Sequence, residues 1–452
     1  MKRHAAAILA AAVAVLSAGH ARAWDEITHG HITDMAVARV RDPELKAFLL
    51  AHRDAVQSGS AFPDWGHAIK PHGEALHARY LDVAFDDLTA PGAGARPGHD
   101  AFLAHYLGAY AHVVEDRVLD CTLKEQAKVV GERRDDMENG MLAIAGEGYL
   151  RRDYTPFVPE ADLARIYARA GYFGDPRLNA STLASVMRRG MTKGAIQNRE
   201  LKLLSFLTYD WARREFPWGY ANIERAPGGF ESNADAVAAG WEAIWAQLHG
   251  RSAPFFVYSL PGEGGTLASA DRAAAYGRIT VVARHRFAVT RLDPAWVHLV
   301  GDRSGPVPVV VRPYLDDREH DTDLAFQIEA TKPWTPGETY RLTLDGPPDA
   351  AGRLAAAPMT TRFRVPTGPR FTDRAKAPGP WRLGLFLAVL VGGVGGAIAG
   401  APDVARLALR QERPWRVARG LALVVGLGLG GLALWLLATD GVAVIDFLRA
   451  HH

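Results

Sequence analysis

The chain has 452 residues, 48% of them hydrophobic and 23% charged, with a formal net charge of +2. A length of this order implies two or three domains. The near-zero charge excludes a broad basic surface for nucleic acid, and the single cysteine, Cys121, excludes an internal disulfide framework.

The N-terminus reads as a secretory signal over residues 1–23. Lys2 and Arg3 precede an apolar run over 5–18, and Ala21-Arg22-Ala23 is a small-x-small cleavage site. Cleavage there would make Trp24 the first residue. Its α-amine and carbonyl oxygen can chelate a metal as a five-membered ring, and His29, five residues on, adds an imidazole. The plain alternative is that Trp24 merely follows the signal.

Nine of the seventeen histidines fall between His29 and His112, which places any imidazole chemistry early in the chain. From 24 to about 250, apolar residues recur at three- and four-residue spacing. This predicts a helical domain over 24–250, with helices over 32–52, 101–120, 183–216 and 234–249. In Ser58-Gly59-Ser60-Ala61-Phe62-Pro63-Asp64, Pro63 disfavours helix at Phe62, so Asp64 is expected on a loop with its carboxylate turned inward. His77 follows thirteen residues later. On the helix over 101–120, His112, Asp116 and Asp120 stand at i, i+4 and i+8 and share one face. An inward row of imidazole and carboxylates on an otherwise apolar helix is costly unless a cation pairs with it. His105, one heptad before His112, is placed to support that row by a hydrogen bond. His31 could replace His29, while His67, His72 and His99 sit in polar loops. Glu138 lies in the charged run Arg133-Arg134-Asp135-Asp136-Met137-Glu138-Asn139, for which a solvated helix face is the alternative reading.

After Ser252 the pattern changes to short β-prone runs over 279–283, 307–311, 324–328, 339–344 and 360–365, with turn signals at Pro336-Gly337 and Asp345-Gly346. These predict a small β-sandwich over 251–370, a spacer or docking module whose last strands resemble those of bacterial Ig-like domains. Residues 371–452 hold two uncharged stretches, 383–400 and 421–438. Each is just long enough to cross roughly 30 Å of hydrocarbon as a helix. Arg406, Arg410, Arg413, Arg416 and Arg419 lie between them and, by the positive-inside rule, face the cytoplasm. The fold class expected from the sequence is therefore mainly α: a helical domain, a small sandwich, and a C-terminal two-helix transmembrane hairpin. The protein is expected to be exported and anchored in the inner membrane, with its soluble parts facing the periplasm or exterior.

Thr28-His29, the run from His52 to Asp64 and the helix over 106–116 together make residues 24–140 resemble the zinc-dependent phospholipase C family, which shares its fold with S1/P1-type nucleases. Its nearest branch contains the N-terminal domain of glycosylphosphatidylinositol-specific phospholipase D. The resemblance implies two Zn²⁺ ions: one on Trp24 and His29, one on Asp64, His77 and His112, with Asp116 bridging them. The family's third zinc takes a later histidine and a His-x-x-x-Glu pair. Here Asp120 stands where the histidine is expected, and Arg134 stands four residues before Glu138, so the third site is altered. Asp120 and Glu138 remain its candidate ligands, with Asp135 or Asp136 as substitutes. The implied activity is a metal-dependent phosphodiesterase that hydrolyses phospholipid head groups at the membrane surface, with Asp116 and Asp64 as catalytic carboxylates. Two other readings stand beside it. One is a nuclease on the same scaffold, which the near-neutral charge disfavours. The other is a non-catalytic surface protein whose metals only hold the fold.

Overall fold

The computed structural model describes residues 26–66, 75–132, 155, 157–170, 185, 217–288, 292–313, 322–346 and 357–368. The chain divides into two compact units, Met1–Lys376 and Ala377–His452, and every described residue belongs to the first.

Among the described residues the helices are α1 Glu26–Arg39, α2 Pro43–Ala51, α3 Arg53–Gly66, α4 Ala75–Leu88, α5 His99–Leu119, α6 Glu125–Val129, α7 Glu160–Arg169, α8 Pro217–Asn222 and α9 Phe230–Leu248. The single helix expected over 32–52 is two. Asp42 breaks it: its carboxylate accepts from the backbone N–H of Glu44 and Leu45 at 3.0 and 3.1 Å, and Pro43 occupies the first helical position. The loop expected at Asp64 is helix, because α3 continues through Pro63 to Gly66. A proline near the end of a helix removes one backbone bond, and the packing of α3 on α1 and α5 outweighs that loss.

α5 is the centre of the described fold. From Phe102 to Glu115 every residue is buried, including His105, His112 and Glu115. Ile32 and Ala36 of α1, Val56 and Phe62 of α3, and Trp241 and Ile244 of α9 belong to the same apolar core. The Trp241 indole N–H donates to the Leu107 carbonyl at 2.8 Å, so even the polar tip of this large side chain is satisfied.

Two sheets follow. The strands are β1 Phe256–Leu260, β2 Gly265–Thr266, β3 Ile279–Ala288, β4 Val297–Gly301, β5 Gly305–Pro306, β6 Val309–Pro313, β7 Thr322–Ala330, β8 Thr339–Leu344 and β9 Met359–Arg364. One sheet runs β1-β3-β7-β6 and the other β2-β9-β8-β4-β5. All pairs are antiparallel except β2 with β9. In β8 and β9 buried and open positions alternate, the mark of a sheet with one covered face. In β3 and β7 the described side chains from Ile279 to Arg284 and from Leu324 to Ala330 are all buried. The two central strands of the first sheet, β3 and β7, are thus covered on both sides over these residues, while the edge strand β6 is partly exposed. Val282 and Leu324 join the helical core, while Val281, Ala283, Phe326 and Ile328 join a second core with Leu299, Leu342 and Phe363 of the other sheet.

The result is three layers: helices, a sheet whose central strands are covered on both faces, and a second sheet. The Tyr110 hydroxyl donates to the Ala283 carbonyl at 3.1 Å, the Gln327 amide to the Cys121 carbonyl at 2.6 Å, and Arg286 pairs with Asp82 at 3.0 Å. The β strands are therefore bonded into the helical layer.

This overturns the expectation of a mainly α chain. Two sheets of four and five strands make the described fold mixed α and β. The expected transmembrane hairpin is no part of it either: among the described residues, no helix is long and apolar enough to cross a membrane. The segments 383–400 and 421–438, and the signal over 1–23, lie outside the described residues.

Candidate metal centre

α3 and α5 meet backbone to backbone. A Cβ at Gly59 would stand 2.0 Å from the carbonyl oxygen of His105, and one at Gly108 would stand 2.0 Å from that of Val56. Only glycine permits so close an approach. The crossing brings the carbonyl of Ser60 to 2.7 Å from His112 Nδ1. A carbonyl oxygen only accepts, so this nitrogen carries the proton and Nε2 of the neutral ring is left as the electron-pair donor.

The second imidazole comes from α1. His29 Nδ1 lies 2.6 Å from Glu115 Oε2, and the other oxygen of Glu115 lies 3.2 Å from the Thr33 hydroxyl. That hydroxyl is also 3.0 Å from Ser60 Oγ, which closes a polar chain across α1, α3 and α5. α1 and α3 are further tied by Gln57, whose amide donates to Asp34 at 2.9 Å and to the Gly30 carbonyl at 3.1 Å, and by the Arg53–Asp34 pair at 2.8 Å.

The two rings stack with centroids 3.8 Å apart and planes at 25°. Both turn Nε2 toward Asp116: His112 Nε2 is 3.3 Å from Oδ2, and His29 Nε2 is 3.6 Å from Oδ1. One ligand atom from each of His29, His112 and Asp116 falls within 4.8 Å of the others, and this group can hold a metal ion. The donor set fits. It offers two imidazole nitrogens and a carboxylate, and each imidazole is oriented through its far nitrogen by an acceptor. Asp116 Oδ1 is buried without a hydrogen-bond partner, a costly state that a cation would relieve.

Electrostatics follow from depth. Burial pushes the Glu115 carboxyl well above its ordinary range, against the pull of His112. Burial would also raise Asp116, but His112 and His29 in their protonated forms, with Lys124, outweigh it and hold this carboxyl below its ordinary range; with both rings neutral, a cation would take the place of those protons. Asp116 therefore stays anionic where the two Nε2 atoms converge.

Of the other residues singled out from the sequence, Trp24 and Glu138 lie outside the described residues. Asp64 and His77 fall on the backbone of α3 and α4, and their side chains lie outside the described ones. Asp120 is not in the metal group; Lys124 Nζ pairs with its Oδ1 at 2.7 Å. His31 packs edge-on against Phe230 with centroids 5.4 Å apart. His105 gives the row no hydrogen bond. It is fully buried near the rings of Phe62 and Phe157, neither ring nitrogen is bonded, and burial lowers its pKa to about 3.

Glu115, Ser60 and Thr33 are members of the site that sequence reasoning did not single out. Glu115 had a signal: it stands three residues after His112, within the same turn, directly after two valines.

No family profile matches the chain, and no curated protein does. Solved structures offer distant likenesses. A crystal structure of an S-layer protein, rSbsC, is 10% identical with a TM-score of 0.19, covering 72% of this chain and 46% of that one. The N-terminal part of the bacterial S-layer protein SbsC is 11% identical with a TM-score of 0.19, covering 71% of this chain and 79% of that one. The chain thus spans less than half the length of the first. At these scores neither likeness bears on fold or function.

Proposed function

We propose that this protein is a zinc-dependent phosphoric diester hydrolase of phospholipase C type, acting on phospholipid head groups. The observation that supports this reading is the convergence of His29 Nε2, His112 Nε2 and the Asp116 carboxylate. Imidazole nitrogens with a carboxylate are a donor set that zinc accepts readily. The resemblance of residues 24–140 to that family supplies the reaction class.

The chain's own residues have distinct tasks. His29 and His112 would hold the ion. Glu115 and the Ser60 carbonyl keep the two rings facing Asp116, and Thr33 braces Glu115 against Ser60. Asp116 presents one oxygen to each imidazole, the arrangement suited to bridging a pair of cations. A bound zinc would supply Lewis acidity, polarising a phosphoryl oxygen and offsetting charge that grows in the transition state.

A second reading is favoured by one observation: both imidazoles are fully buried and only Asp116 reaches toward solvent. A metal in such a place can serve the fold alone.

The test uses the full chain, incubated with mixed phospholipid micelles and separately with single-stranded DNA, with and without chelator. Chelator-sensitive release of phosphorylated head groups is the expected result. Release of nucleotides would move the assignment to a nuclease. A melting temperature that falls with chelator while neither substrate is cut would leave the structural reading.

A further inference from the structure

The second sheet turns one face to the core and the other outward. Tyr340, Leu342 and Phe363 look inward, to the core shared with the first sheet. On β8 and β9 the positions between them look outward. Arg341 stands directly opposite Arg362 in the ladder, and Arg364 stands opposite Thr339. All three arginines are exposed. Residues directly opposite on neighbouring strands have Cβ atoms about 5 Å apart, and alternate residues of one strand are about 7 Å apart. Three guanidinium groups therefore share one flat patch. Thr343 and Thr360, whose hydroxyls lie 3.2 Å apart, continue the same two strands along that face.

Like charges set directly opposite destabilise a sheet. Elsewhere the fold relieves crowded arginines with a shared carboxylate. Arg272, Arg278 and Arg312 gather on Glu329, as Arg96, Arg165 and Arg169 gather on Asp87. The outward patch has no such relief: among the described residues, the side chains of Arg341, Arg362 and Arg364 make no ion pair and no hydrogen bond. Two acids at its border are engaged otherwise. Asp345, just past β8, pairs with His298 at 2.9 Å, and Glu263 accepts the backbone N–H of Arg362 at 2.7 Å.

An anion supplies what this face lacks. The guanidinium fork matches phosphate oxygens two at a time, and threonine hydroxyls can donate beside it. No phenylalanine, tyrosine or tryptophan points outward from β4, β8 or β9, so there is no platform on which bases would stack. The broad side of a sheet is also too wide for a duplex groove, which admits a helix or a two-stranded ribbon. A flat array of phosphates fits, and an anionic bilayer presents one. We propose that the outer face of the second sheet, centred on Arg341, Arg362 and Arg364, is a docking surface for an anionic phospholipid bilayer. The metal group lies in the helical layer, on the far side of the first sheet, so the proposal stands apart from the reaction assigned above.

The experiment is vesicle flotation of the full chain, with vesicles of phosphatidylcholine alone or mixed with phosphatidylglycerol. Binding that does not depend on lipid charge is common to both and cancels in the comparison. The wild type is expected to prefer the mixed vesicles, and high salt should abolish the preference. Each arginine near such a surface is worth about a five-fold change in affinity, so Arg341→Thr/Arg362→Thr/Arg364→Thr should lose about a hundred-fold on mixed vesicles and bind both kinds alike. Lysine at the same three positions keeps the charge and should keep the preference. Arg41→Ser/Arg225→Ser/Arg251→Ser removes as much charge from other exposed positions and should also keep it. Arg341→Thr alone, which relieves the opposed pair with a β-branched residue, should melt at or above the wild-type temperature; a lower value would contradict the like-charge argument. Equal binding of the wild type to both vesicles overturns the proposal, as does a triple threonine variant that keeps the preference. Binding to single-stranded DNA in preference to mixed vesicles would give the face to nucleic acid and overturn it too. Chelator should leave vesicle binding unchanged while it abolishes hydrolysis, so this proposal and the functional reading fail separately.

Discussion

The sharpest consequence of the α3–α5 crossing concerns one methyl group. In Gly108→Ala the new Cβ would stand 2.0 Å from the Val56 carbonyl oxygen, 2.7 Å from the Ser60 amide nitrogen and 2.9 Å from the Gly59 Cα. All three are backbone atoms that cannot rotate away. Ordinary contact begins near 3.4 Å, so the helices must separate by more than 1 Å. The hydrogen bond from His112 Nδ1 to the Ser60 carbonyl, 2.7 Å long, does not survive a shift of that size. Overpacking of this kind costs about 1–3 kcal/mol, and the lost bond adds about 1 kcal/mol. Helix propensity acts in the opposite direction, since alanine is favoured over glycine by about 1 kcal/mol. The sign of the result therefore decides between the two effects. We expect a net loss of about 1–3 kcal/mol, read by calorimetry as a fall of about 1–4 °C for a unit of this size. Zinc affinity of the same variant, read by competition with a chromogenic chelator, should fall about tenfold or more, because the His112 ring loses its orienting partner. A melting temperature equal to or above wild type, with unchanged affinity, would refute the close crossing and its role at the site.

Three further outcomes are expected. Glu115→Gln should weaken zinc binding by about 10–100-fold, the usual effect of altering a group that orients a ligating histidine; an unchanged affinity by chelator competition would remove Glu115 from the site. A chain ending after Gly250 leaves Tyr110, Cys121 and the apolar face of α5 without β3 and β7, and should show no cooperative thermal transition by circular dichroism; a sharp transition near that of the full chain would refute the three-layer fold. Asp87 is paired with Arg96, Arg165 and Arg169. Burial alone would raise its pKa, but the bonds from Arg165 and Arg96 outweigh it and lower the value from 3.8 to about 2. Its contribution to stability is therefore complete above about pH 4 and is lost as pH falls through about 2. Asp87→Asn should flatten that part of an acid-unfolding curve, and an identical acid limb in the variant would count against the cluster.

What the sequence disclosed depended on how local the determinants are. α5 and α9 are legible because their apolar residues recur every three or four positions, and β3, β7, β8 and β9 because their short runs mix β-branched, aromatic and other apolar residues and are separated by turn signals. The break at Asp42 was also written locally, as a cap followed by proline, but the apolar pattern across it concealed it. Pro63 misled for the opposite reason. Its local preference against helix was overridden by the packing of α3, which no short window contains. The mainly α expectation failed on the same ground. The runs around Val282 and Phe326 are short and β-prone, and only their packing shows that both faces of these strands are covered. At the site, His29, His112 and Asp116 could be found from ligand type and spacing. Ser60 could not, because its role exists only where two helices touch.

The middle position of the first sheet also bears on how the molecule is assembled as it is made. The central helix leaves the ribosome well before the strands that cover it. Tyr110 is separated by 173 residues from the carbonyl it bonds, and Cys121 by 206 from the amide that caps it. Contacts so far apart in sequence close late, and apolar surface left waiting for them is open to aggregation. A nascent chain of this protein must therefore carry its histidine-bearing helix half-dressed until residue 330 has emerged, the interval in which a chaperone has most to hold.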